Sequence, residues 1–301
     1  MAHSAKTIAK PQGRIAGLKR RKLPGAGIEI DALVGGSGPP LLLLHGFPQT
    51  RMMWAEVAPQ LAEHFTLVIP DLRGYGRSDK PVTDRRHMAY AKRTMARDQV
   101  EMMHALGFDR FSVAGHDRGG RVAYRLALDH PRRVERLAVL DIVPTGDMWS
   151  KGIARKMRAA HWFEMAKPAP EPESVIGKNP KRFVTWTLGQ WAGEDFAFDQ
   201  AAEEDYVDCF DDPETIHAVC NEYRAGATRD WEIDEASRGR ERIDAPMLVL
   251  WPEKNGIAIT DPLRLWSQWA RDVRGTQFDT GHFLAEEAPR RTARALRAFF
   301  S

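Results

Sequence analysis

The sequence predicts an α/β chain: a mostly parallel, doubly wound sheet with a helical cap inserted between two late strands. Three observations carry this. From residue 39 onward, short apolar runs that end in turn signals alternate with amphipathic segments. One interval of about 100 residues, between LAVLD and PMLVLW, breaks the alternation and holds no comparable run. Residues able to do chemistry fall where the apolar runs stop, the carboxyl ends of the strands, as open α/β sheets require.

The elements read in order as follows. The first 22 residues carry Lys6, Lys10, Arg14, Lys19, Arg20, Arg21 and Lys22 and no acid. A basic tail of this kind suits nucleic acid or an anionic membrane, but a frayed, solvated leader over 1–22 is the plainer expectation. It contains no apolar stretch of the secretory kind. PPLLLLHGFP, FTLVIPD, FSVAG, LAVLD, PMLVLW and GTQFDTGH are the strand signals, apolar enough to be covered on both faces. AKRTMARDQVEMMHALG is the clearest helix, with Met95, Val100, Met103 and Leu106 on one side. A loop of 100 structureless residues is foreign to a compact protein. The interval 146–244, rich in Trp, Pro and acids, is therefore read as the helical cap. Residues 23–145 and 245–301 are read as the core.

Composition excludes several classes. The chain has 301 residues, 43% hydrophobic and 28% charged, with a net charge of +3. A core of this size needs no disulfide or metal. Cys209 and Cys220 read as a reduced pair. No apolar run approaches the ~20 residues of a membrane span. A cytoplasmic protein with neither nucleic-acid nor membrane partner is expected.

The stretch AGHDRGGRVAYRL holds the central motif. Gly115, His116, Asp117, Arg118, Gly119 and Gly120 form a small–x–Asp–x–small–small pattern where a strand stops and a helix starts. Small residues let the backbone turn sharply and push Asp117 upward. Alone, the aspartate also reads as a helix N-cap. Asp141 ends the next strand and His282 follows the last one, so nucleophile, acid and histidine are expected to converge. Glu253, after PMLVLW, is the fallback for the acid. Arg118 and Arg121 lie one helical turn apart near a helix N-terminus, where anions are favoured. Paired guanidinium donors match a small carboxylate, and their charge is expected to keep Asp117 ionised. The bland alternative pairs Arg121 with a surface acid such as Glu135.

With these residues in place, the sequence resembles the α/β-hydrolase family over nearly all of the chain after Lys22. LLLLHGFPQT resembles its oxyanion turn and DLRGYGRSDKP its next strand and loop. Aspartate in the elbow resembles the dehalogenase and epoxide hydrolase branch. HDRGGRVAYRLALDHP, LDIVPT, HW, EYRAGA and TGHFLAEEAP resemble the fluoroacetate (haloacetate) dehalogenases, the Arg after the nucleophile being the most specific feature.

That resemblance implies hydrolysis of a 2-haloacetate to the hydroxy acid and halide through an ester of Asp117, with His282 activating water and Asp141 holding the imidazole. It implies backbone N–H groups of Phe47 and Arg118 at the oxyanion, and His161, Trp162 and Tyr223 as halide donors. Trp162 also reads as a packed aromatic, and Trp191 as pocket or core alike. Two departures stand out: Ala159–Ala160 precede the HW pair, and Met148 sits where a tyrosine is common. With these donors replaced, chloride and bromide, which leave more easily than fluoride, are the favoured leaving groups. No cofactor is implied. The family is often dimeric, and only the resemblance implies a homodimer here. The rivals are an epoxide hydrolase, using Asp117 and His282 with Tyr206 and Tyr223 as donors, and a ligand receptor on the same fold. An ordinary esterase is disfavoured because the elbow has no serine.

Overall fold

A computed structural model describes residues 13–150, 152–156, 159–253 and 256–301. One eight-stranded sheet runs through it, in the order β1-β2-β4-β3-β5-β6-β7-β8. The strands are β1 (Lys19–Pro24), β2 (Glu29–Gly36), β3 (Pro40–Leu44), β4 (Thr66–Pro70), β5 (Phe111–His116), β6 (Val134–Leu140), β7 (Met247–Pro252) and β8 (Val273–Phe278). From β4 to β8 all neighbours pair in parallel. β1 and β2 add an antiparallel edge. β3, β5 and β7 are buried almost end to end, as strands covered on both faces must be.

The leader expected over 1–22 lies outside the described residues up to residue 12, and its last residues belong to β1. Lys6 and Lys10 lie outside the described residues. Lys19 to Lys22 are not leader but the exposed face of β1, with Arg20 on Asp31 at 2.7 Å and Lys22 on Glu29 at 2.5 Å. Charges along an edge strand pair across to their neighbour and discourage association with another edge. KRRKLP carries no apolar alternation, which is why the sequence pattern passes over it.

Register decides where the site is. Leu44 pairs with Gly115, His116 with Leu140, and Leu140 with Leu250. The ends of β3, β5, β6 and β7 are thereby level. Phe47, Asp117 and Asp141 follow within three residues of their strands, and His282 four residues after β8.

Between β6 and β7 the described residues form helices and no strand. Thr145–Ser150, Ala160–Met165, Pro180–Trp191, Gln200–Phe210, Pro213–Ala225 and Trp231–Ser237 are the main ones, with a π-helical turn at Gly226–Asp230. Three prolines of this span, Pro172, Pro180 and Pro213, stand in the first turn of a helix rather than break one. Pro180 and Pro213 stand at first helical positions, behind side-chain caps from Asn179 and Asp212. Cys209 and Cys220 are both free and buried. No helix of the described residues is long and apolar enough to cross a membrane.

Candidate active site

The turn after β5 is built by close backbone approach. Asp117 has φ +43°, in the left-handed region that non-glycine residues rarely adopt. A Cβ at Gly119 would lie 2.4 Å from the His45 carbonyl oxygen. One at Gly115 would lie 2.4 Å from the Gly119 oxygen, and one at Gly120 2.9 Å from the Gly115 oxygen. The three small positions are required because strand, turn and helix (Asp117–Asp129) touch through their main chains. The Gly119 amide donates to His45 O at 2.9 Å, clamping the turn to the end of β3. The Phe47 amide, from the same loop, donates to Asp117 Oδ2 at 3.1 Å. An N-cap role for Asp117 is excluded, because the helix begins at Asp117 itself and His116 occupies the cap.

Asp141 also sits at positive φ, +48°, directly after β6. Its Oδ2 is 2.5 Å from His282 Nδ1. Gly256 presses against the carboxylate so closely that a Cβ there would fall 2.7 Å from Oδ2. The fallback acid, Glu253, is exposed and does not reach the histidine; its amide bonds Phe278 O. His282 Nε2 is buried and finds no partner among the described residues. Burial opposes charging the His282 ring. The hydrogen bond and charge of Asp141, and the charge of Asp117, outweigh it and raise its pKa above the usual 6.5. Burial would raise the Asp117 carboxyl, but Arg118, His282 and Arg121 draw it far below the carboxylate range, so it is ionised at neutral pH. His116, beside both, is pushed down to about 3 by burial and by His282, and is neutral.

The two arginines are buried but differ. Arg121 donates to Val143 O at 3.0 Å and Thr145 Oγ1 at 3.1 Å, and its guanidinium lies 4.5 Å from the Trp162 ring centre. It makes no pair with Glu135, which meets Arg110 instead. Arg118 lies 3.4 Å over the Tyr223 ring and 4.8 Å from that of Trp162. None of its guanidinium nitrogens has a hydrogen-bond partner among the described residues, nor does Arg121 Nε. Arginine does not lose its proton in proteins, so these are two buried cations with donors unspent.

A cavity of about 390 Å³ opens over these groups. Asp117, Asp141, His282, Arg121, His161, Trp162 and Trp191 line it, as do Met148 and Ala159. Three expected site residues do not line it: Phe47, Arg118 and Tyr223 stand one layer back. Arg118 covers one face of the Tyr223 ring, whose other neighbours include His161 and Trp162. Tyr206 is further away in role, its hydroxyl bonding Glu286 at 2.8 Å. His161 lies tilted 4.5 Å from Trp191, and burial followed by the charge of Arg118 lowers its pKa to about 3, leaving it neutral. Four lining residues went unread in the sequence: Trp186, Gln190, Gly256 and Ile257. Trp186 and Gln190 are four apart on one helix face, a signal that was legible. The approach of Gly256 to Asp141 has no local signature. Among the described residues no group of His, Cys, Asp and Glu is arranged to hold a metal ion.

Known proteins resemble the chain along most of its length. A fluoroacetate dehalogenase from Burkholderia sp is 45% identical over 289 residues, covering 95% of this chain and 94% of that protein. A soluble epoxide hydrolase from Corynebacterium sp. (strain C12) is 33% identical over 284 residues, covering 91% and 94%. A crystal structure from Nostoc sp PCC 7120, described as an α/β hydrolase, superposes with a TM-score of 0.91 at 45% identity, covering 94% of this chain and 98% of that one. A family model for the alpha/beta hydrolase fold matches residues 39–289. With the sheet order, the turn after β5 and these matches in agreement, the chain belongs to the α/β-hydrolase fold family.

Proposed function

We propose that the protein hydrolyses the carbon–halogen bond of a 2-haloacetate, with residues 146–244 as the cap over the site. The observation that carries this reading is the pair of buried arginines beside an ionised Asp117, with guanidinium donors left unspent. A neutral epoxide or alkyl halide gives such cations nothing to hold. A small carboxylate gives them a partner. Likeness to the Burkholderia dehalogenase supports it.

The carboxylate of the acid is held by Arg121, with Arg118 adding charge from behind. Asp117 attacks the α-carbon from the side opposite the halogen. The carbon–halogen electron pair leaves with the halide, and an oxygen–carbon bond to Asp117 forms. His161 and Trp162 face the cavity as N–H donors to the departing halide. Water then attacks the carbonyl carbon of the ester and gives a proton to His282 Nε2. The Phe47 amide, already on Oδ2, is placed for the oxyanion. Glycolate leaves with the proton taken back from His282, the second proton of the water is released to solvent, and Asp117 returns as a carboxylate. Alkylation removes the charge of Asp117, one of the groups holding the His282 pKa up. The imidazole therefore becomes the more readily neutral base at the step that needs one.

The epoxide reading is weaker, because Tyr206 is bonded to Glu286 and Tyr223 lies under Arg118. The test is halide release from chloroacetate and fluoroacetate by the purified protein, with Asp117→Asn as the blank. Release in the native protein that falls below detection in the variant is expected. Absence of halide from both acids, with diol formed from an epoxide, overturns the reading.

A further inference from the structure

Two backbones meet beside His282. The His282 amide donates to Trp191 O at 2.8 Å. A Cβ on Gly281 would fall 2.3 Å from Gly193 N. So the loop carrying the imidazole and the end of the helix Pro180–Trp191 are in main-chain contact. The Glu287 carboxylate sits at this crossing. Its Oε2 accepts from Gly281 N at 2.6 Å and Gly193 N at 2.9 Å, and its Oε1 accepts from Phe283 N at 2.9 Å. One side chain thus binds the amides on both sides of His282 and an amide of the helical wall. The ring of Trp191, two residues before Gly193, meets the His282 ring edge-on at 5.4 Å and lies tilted 4.5 Å from His161.

We propose that Glu287 is a positioning residue for the second half of the reaction, fixing His282 against the helical wall so that Nε2 meets the attacking water. The inference rests on the proposed hydrolysis through an Asp117 ester. Only a carboxylate presents acceptors on both oxygens to three N–H donors. Glutamine must turn its NH2 toward at least one of them, whichever way it is flipped. Alkylation of Asp117 needs no base, so it is insensitive to the aim of His282. Hydrolysis of the ester depends on it.

The experiment compares native protein, Glu287→Gln and Gly193→Ala with chloroacetate, by steady-state kinetics and by intact mass during turnover. Gly193→Ala leaves the carboxylate intact but puts a Cβ 2.7 Å from Oε2. In Glu287→Gln, kcat is expected to fall on the order of 10- to 100-fold. KM falls with it, kcat/KM is unchanged, and the ester of Asp117 accumulates. Gly193→Ala gives the same pattern more weakly. Parallel loss of kcat and kcat/KM without ester overturns the inference, since general loosening of the site acts on both steps. Unchanged kcat also overturns it. A native protein that never forms the ester defeats the proposed function itself, a distinct result.

Discussion

The cavity has two walls held by different physics. The sheet-end wall carries Asp117, Asp141 and His282. It is fixed by level strand ends, two residues at positive φ and main-chain contacts that leave no room for a Cβ. The helical wall carries Met148, Ala159, His161, Trp162, Trp186 and Trp191. Away from its main-chain crossing with the His282 loop at Trp191 and Gly193, it is packed through ring contacts, with His161 at 4.5 Å and Phe47 at 5.7 Å from Trp191 and Trp149 at 5.4 Å from Trp162. Backbone contacts permit one arrangement; side chains packed edge-on or tilted can shift rotamer. In the proposed reaction the chemistry falls on the rigid wall and the substrate is framed by the adaptable one, a division that lets loops and insertions vary specificity around fixed chemistry.

One substitution made in both walls tests the contrast most severely. Gly119→Ala drives a Cβ into the His45 carbonyl, and neither backbone has anywhere to go. Overpacking of this kind costs about 1–3 kcal/mol, and the displaced elbow is expected to lose at least about 100-fold in kcat/KM. Gly189→Ala, at an exposed position of the helix Pro180–Trp191, meets nothing within 4 Å. It is expected to stabilise by about 0.5–1 kcal/mol through helix propensity, with turnover unchanged. Thermal melting and halide release on the two variants check this. Equal effects erase the distinction between the walls.

Asp141→Asn is next in size. The imidazole loses the partner that holds its tautomer, and kcat is expected to fall on the order of 100-fold or more. The sign with pH follows from the raised His282 pKa. His282 acts as a base only above its pKa, so kcat falls as the pH drops through it, and in the ester, where Asp117 is uncharged, Asp141 is the acid that still holds that pKa up. With Asp141 neutralised the pKa drops and the limb moves to lower pH. A pH profile whose acid limb stays in place points to another base. Arg121→Ala follows. It removes the cation that faces the cavity, and kcat/KM for chloroacetate is expected to fall on the order of 100-fold. An unchanged kcat/KM shifts the clamp to Arg118.

The sheet-end wall was legible in the sequence and much of the helical wall was not, for the same physical reason. A strand that must turn sharply into a helix can use few residue types, so Gly115, Gly119 and Gly120 mark the elbow and Asp117 with it. Strand ends in a parallel sheet converge, so Asp141 and His282 were legible as partners before any coordinate. Register turns those one-dimensional positions into one site. A helical wall carries no such constraint. Tyr223 was legible as a donor by resemblance, but only packing shows that Arg118 covers its ring. β1 was missed because an edge strand bearing four basic residues has no apolar period. Gly256 was missed because its contact with Asp141 joins residues 115 apart in the chain.

The smallest expected effect sharpens the comparison furthest. Trp186 lines the cavity but is 59% exposed, a rim residue on the adaptable wall. A two-carbon acid held by Arg121 and reacting at Asp117 lies at the sheet-end wall, away from that rim. Trp186→Ala removes a large ring that is mostly in solvent, so little burial is lost. The change in kcat/KM for chloroacetate is expected to stay within about threefold, or less than 1 kcal/mol. A loss of tenfold or more requires the helical wall to close on the substrate during the reaction. The wall is then a moving part of the catalytic site, and the division between rigid chemistry and adaptable framing fails at the residue where it predicts least.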